Sequence, residues 1–89
     1  MELPVDVTAE VRMRLRRVAG QVKGVERMLE EGRDCAEVVP QLAAATKALE
    51  QAGFRLLTAS LTYCIEHPET ADADGQGIEA LQKMFAKLV

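Results

Sequence analysis

The chain has 89 residues, enough for one domain with a modest core. Apolar residues make up 48% of it but aromatics only 3% (Phe54, Tyr63, Phe85), which favours closely packed helices over a β-sandwich and removes the stacking platforms that single-stranded nucleic acid needs. A net charge of −3 with 28% charged residues excludes wholesale disorder and, taken alone, argues against a nucleic-acid partner.

Met1 to Asp6 carries no basic segment and no signal-peptide core, and no apolar run reaches membrane-spanning length. The expectation is a cytoplasmic protein without a membrane partner, whose two cysteines are reduced at rest. Thr8 is positioned to cap a first helix over about residues 9–31. Within it Val11, Leu15, Val18, Val22, Val25 and Leu29 recur at alternating spacings of 4 and 3, a heptad seam. Gly20 and Gly24 weaken this helix by roughly 1 kcal/mol each relative to Ala, so a close helix approach is expected to compensate. Gly32 is the natural residue to end it.

Asp34-Cys35-Ala36-Glu37 has the form of a capping box, which opens a second helix over about residues 35–66. Cys35, Val38, Leu42, Ala45, Leu49, Ala52, Leu56, Ala59 and Tyr63 continue the alternating spacing. Pro40 removes one hydrogen bond and predicts a bend or a loose first turn. From Ala52 to Ile65 the helix is apolar on nearly every side, which requires more than one covering neighbour. His67-Pro68 stops it, residues 68–77 read as a loop, and Ile78, Leu81, Met84, Phe85 and Leu88 predict a third helix over about residues 77–88. The fold class is all-α, with three helices per chain. Two seams and a very apolar central helix point to an antiparallel four-helix-bundle dimer that assembles into a tetramer. A monomer with both seams in its own core is the plainer alternative.

Charge is segregated along the chain. Residues 10–27 hold six basic and two acidic side chains, +4 net, and the remainder carries −7. At about 100° per residue, Arg12, Arg16, Lys23 and Arg27 share a band roughly 60° wide, able to follow a phosphate backbone. Arg12, Arg14, Arg16, Arg17 and Lys23 are therefore the candidate contacts to double-stranded DNA. No helix-turn-helix or zinc-finger spacing is present, so a helix face serves as the binding surface. The ordinary alternative is a solvated face.

Cys35 occupies the first turn of the second helix, where the helix dipole favours a thiolate, and Arg33 lies two residues before it. Cys64 lies near the other end, 29 residues on, or about 43 Å along a continuous helix. A disulfide needs Cα atoms within about 7 Å, so the two thiols of one chain cannot meet; they meet only across an antiparallel dimer. Two buried hydrophobe-like cysteines are the structural alternative, better suited to Cys64. Two thiolates alone do not complete a trigonal or tetrahedral metal site, and His67, at a fraying helix end before Pro68, reads as an exposed residue and not a ligand. A linear Cu(I) site at Cys35 and Cys64 is chemically open. Thiol redox chemistry needs only the two sulfurs.

The run from Arg14 to Val25 (RLRRVAGQVKGV), followed by Met28 to Cys35 (MLEEGRDC), resembles the copper-sensing operon repressor (CsoR) family, with the likeness covering about residues 10–66. The resemblance implies an all-helical cytosolic repressor, tetrameric from antiparallel dimers, that binds operator DNA and releases it on binding an inducer. Copper-sensing members use Cys, His and Cys. The two cysteines match Cys35 and Cys64, but Ser60 stands where the His falls. Nickel, cobalt and formaldehyde sensors also rely on His or on an N-terminal ligand arrangement not found here. Cysteines without that His are similar to the persulfide-sensing, CstR-like branch, as are the Glu-Glu-Gly-Arg-Asp-Cys stretch and the added C-terminal helix. The resemblance therefore implies a non-enzymatic repressor that senses sulfane sulfur through Cys35 and the partner chain's Cys64 and needs no cofactor. The alternative is a Cu(I)-responsive repressor with an altered thiolate site.

Overall fold

The computed structural model describes residues 2–73 and 77–88, and among these it is all-helical: α1 Val5–Glu30, α2 Cys35–Glu66, α3 Pro68–Ala73 and α4 Ile78–Leu88. Four helices replace the expected three. The segment read as a loop begins with α3, because Pro68 stands where its fixed φ and missing N–H suit a first helical residue. The His67 carbonyl accepts the Ala71 N–H at 3.0 Å, the opening bond of that helix.

α1 begins at Val5, four residues before the expected start. Pro4 and not Thr8 occupies the cap position, and its carbonyl accepts the N–H groups of Val7 and Thr8, both at 3.1 Å. Thr8 is inside the helix, its hydroxyl donating to the Val5 carbonyl. The extra turn lets Val7 join Val11, Ala52 and Ala59 in a buried cluster against which Leu3 packs. At the far end Gly32 takes φ +68°; its N–H donates to Leu29 and the Arg33 N–H to Met28, the paired bonds of a Schellman cap.

Asp34 caps α2 by accepting the Ala36 N–H at 2.9 Å. The Glu37 carboxylate, the second half of the expected capping box, accepts a hydrogen bond from Arg33 Nε at 2.8 Å. α2 runs unbroken through Pro40.

α1 and α2 form an antiparallel hairpin, and the heptad seams divide between two surfaces. The rows Val11, Val18, Val25 and Val38, Ala45, Ala52, Ala59, each at seven-residue spacing, are buried in the hairpin. The alternate rows, Leu15, Val22, Leu29 on α1 and Leu42, Leu49, Leu56 on α2, are exposed, Leu29 at 63% and Leu49 at 52%. In antiparallel right-handed helices, the positions four after each buried row turn toward the same side. The exposed rows thus form one continuous apolar face. The plainer monomer reading, with both seams inside one core, does not hold.

The apolar stretch after Ala52 has three neighbours: α1, and further along α3 and α4. Phe54 and Phe85 lie with centroids 5.8 Å apart, and the Leu88 side chain packs over Gly53, where an added Cβ would meet its Cδ2 at 2.9 Å and push that side chain aside. α2 and α4 leave between them an open apolar groove of about 280 Å³. Gly20 and Gly24 behave differently: an added Cβ at either meets nothing within 4 Å, so the expected helix approach is not made inside this chain. Among the described residues no helix is long and apolar enough to cross a membrane.

Candidate functional site

Cys35 is exposed at the first position of α2, directly after the Asp34 cap. It belongs to the row that continues as Leu42, Leu49 and Leu56, on the open apolar face. Arg33, expected to assist this thiol, has its guanidinium bonded to Glu37 at 2.8 Å and to Glu31 at 3.4 Å. The Glu37 carboxyl is accordingly held below its ordinary pKa, first by that hydrogen bond and then by the guanidinium charge.

Cys64 is 4% exposed, in a cluster with Ala71 of α3 and Leu81 of α4 against which Tyr63 packs. The two C-terminal helices therefore roof this thiol. The continuous helix keeps it about 43 Å from Cys35 of the same chain. One turn before it, Ser60 donates its hydroxyl to the Leu56 carbonyl at 2.9 Å, the ordinary back-bond of a helical serine. His67 is exposed and stacks on Tyr63, ring centroids 4.8 Å apart. Among the described residues no cluster of three or more His, Cys, Asp or Glu is placed to hold a metal ion within one chain.

Arg12, Arg16, Arg17, Lys23 and Arg27 are exposed along α1, and none makes an ion pair among the described residues. Arg14 is set apart. Relative to the buried Val11 it points about −60° round the helix, whereas the band of Arg12, Arg16, Lys23 and Arg27 lies at about +100° to +160°. Arg14 Nε donates to Glu10 Oε2 at 3.2 Å, and the same oxygen accepts Arg55 Nε from α2 at 3.0 Å. The five candidate cations thus do not form one patch. Sequence reading passed over Arg55 and its pairing with Glu10. The available signal was Arg55 itself, a single cation in the otherwise apolar stretch Ala52–Ile65.

The sequence of this chain, compared with known proteins, matches a family profile and several relatives. The sequence profile of the metal-sensitive transcriptional repressors matches residues 8–87. The chain belongs to this family of transcriptional repressors. It is 41% identical over 79 residues to the copper-sensing transcriptional repressor RicR of Mycobacterium tuberculosis, a match spanning 85% of this chain and 81% of that one. It is 28% identical over 78 residues to the copper-sensing transcriptional repressor CsoR of Bacillus subtilis, spanning 88% and 77% respectively. The CsoR repressor of Mycobacterium tuberculosis is 35% identical over 72 residues, 81% of this chain and 58% of that one. No solved structure matches the chain at a significant level.

Proposed function

We propose that this repressor works as an antiparallel dimer, paired again into a tetramer, that binds operator DNA through its basic helix face and lets go when Cys35 and the partner's Cys64 react with sulfane sulfur. The open row of α2 supports the dimer. Cys35, Leu42, Leu49, Leu56 and Tyr63 are spaced evenly by seven and are symmetric about Leu49. A two-fold axis at Leu49 pairs Leu42 with Leu56 across the interface and sets Cys35 beside Tyr63, the residue next to Cys64. The same operation covers the exposed Leu15, Val22 and Leu29, which have no other cover in this chain.

The observation that carries the sulfur chemistry is the two-thiol set without a histidine: Ser60 stands one turn before Cys64 with its hydroxyl committed to the backbone. The Cys35 thiolate attacks the terminal sulfur of a persulfide RSSH, forming a Cys35 persulfide and releasing the thiol RSH. The partner's Cys64 thiolate then attacks the Cys35 sulfur, forming a disulfide and expelling hydrosulfide. Two protein thiols are oxidised, the sulfane sulfur is reduced to sulfide, and the net products are RSH, hydrogen sulfide and one bridge between chains. A second RSSH that first converts the partner's Cys64 to a persulfide, releasing another RSH, gives the trisulfide instead: the terminal sulfur of the Cys35 persulfide attacks the Cys64 sulfur and expels hydrosulfide. A bridge on each side of the two-fold biases the packing of the two hairpins, and through it the relative placement of their basic faces.

Treatment of the reduced protein with a polysulfide donor, followed by non-reducing peptide mass spectrometry, is expected to give a cross-link joining the Cys35 and Cys64 peptides. A monomeric product under saturating donor refutes the sulfur reading.

The second reading is Cu(I) held by the same two thiolates, favoured by the copper-sensing RicR and CsoR relatives. A Cu(I) titration against a competing chelator discriminates. Tight stoichiometric binding that weakens DNA affinity selects copper.

A further inference from the structure

We propose that Arg14 and Arg55 form a second phosphate-contacting patch, on the opposite flank of α1 from the Arg12, Arg16, Lys23 and Arg27 band, and that Glu10 is its built-in competitor. This rests on the reading of the protein as a DNA-binding repressor and names which groups set its affinity. Glu10 Oε2 receives both guanidinium Nε donors, at 3.2 Å from Arg14 and 3.0 Å from Arg55. Among the described residues, the Arg55–Glu10 pair is the one ion pair that joins two helices; the others lie within four residues of one another. It brings a cation of α2 onto the flank of the basic helix. α2 has only one other cation, Lys47.

The arrangement suits exchange better than it suits structural bracing. All three side chains are more than a third exposed, at 41% for Glu10, 43% for Arg14 and 35% for Arg55. Ion pairs this wet add little to folding and are readily broken. A single carboxylate oxygen holds two donors that each have further N–H groups to offer. A phosphodiester backbone presents repeated anionic oxygens and releases its counterions when cations arrive, so it can take both guanidiniums from Glu10. Glu10 has two effects in the DNA-free protein. It keeps the two guanidiniums gathered at one point, and it must be displaced before they reach phosphate.

The test uses the full-length protein in its native assembly and a fluorescently labelled duplex carrying the DNA upstream of its own gene, titrated by anisotropy between about 50 and 200 mM salt. Glu10→Gln is expected to tighten binding roughly threefold or more, the scale of one phosphate contact over this salt range, and to steepen the salt dependence. Arg55→Gln is expected to weaken binding and to lower the salt slope by about one. In an Arg14→Gln/Arg55→Gln background the gain from Glu10→Gln is expected to vanish. Glu26→Gln, also on α1 but in no ion pair among the described residues, controls for the general loss of a negative charge. The proposal is overturned if Glu10→Gln leaves affinity unchanged or lowers it, or if its gain persists without the two arginines. Arg16→Ala separates the two levels of failure. If it weakens binding while the Glu10 and Arg55 variants do nothing, the DNA reading stands and the second patch does not. If the wild-type protein and all variants ignore the duplex, the DNA reading fails and takes this proposal with it.

Discussion

Replacing Leu81 with Ala is expected to unroof Cys64 without unfolding the hairpin. Leu81 is 5% exposed and packs over Cys64 together with Ala71. Truncating a buried leucine costs about 2–5 kcal/mol. Leu81 also borders the open groove between α2 and α4, so the lower end applies, about 2 kcal/mol. The loss falls on the docking of α3 and α4. The Val and Ala rows between α1 and α2 lie elsewhere and keep their contacts. Because 1.4 kcal/mol is a factor of ten, an opening penalty lower by about 2 kcal/mol raises the open population about 30-fold. When closing is faster than labelling, the alkylation rate follows that population. The assay is timed iodoacetamide labelling of the reduced protein, read peptide by peptide in a mass spectrometer, with the exposed Cys35 as internal reference. The wild-type protein should label at Cys35 first, and the variant should label about 30-fold faster at Cys64 with Cys35 unchanged. The reasoning is refuted if Cys64 stays within about threefold of wild type, or if both cysteines accelerate together, which would mean the whole hairpin had opened.

Leu49→Glu places a charge at the centre of the symmetric row; sedimentation should show the loss of the dimer while circular dichroism retains the helices, and an unchanged oligomer would rule out this face as the interface. Gly32→Ala forces a Cβ into φ +68° and should cost about 1 kcal/mol in urea unfolding, and Asp34→Ala, which removes the acceptor of the Ala36 N–H, a comparable amount. The carboxyls of Glu10 and Glu37 are held below their ordinary pKa in the folded chain, Glu10 first by its hydrogen bond from Arg14 and Glu37 by its hydrogen bond from Arg33. Groups with depressed folded values stabilise the fold above the ordinary carboxylate pKa near 4.5 and lose that contribution as pH falls through the folded values. The melting temperature should therefore decline on acidification below about pH 4.5, less so in the Glu10→Gln/Glu37→Gln double variant.

Local chemistry determined much of this protein in one dimension. The 3–4 periodicity marks α1 and α2, Gly32 and Asp34 mark the turn between them, and the 29 residues between Cys35 and Cys64 on one helix forbid an intrachain bridge, because helix rise is a constant of the backbone. The start of α1 was misread because Thr8 is a good cap by type, whereas the burial of Val7 against Ala52 and Ala59 favours a longer helix capped at Pro4. Other features depend on contacts between distant residues, which a pattern of residue types does not contain. A heptad seam states that two rows are apolar, but only the docked hairpin decides that Val18 faces inward while Val22 faces out. The roof over Cys64 needs α4 to fold back onto α2 across Gly53. Glu10 and Arg55, separated by 45 residues, share a hydrogen bond solely because the hairpin brings their flanks together.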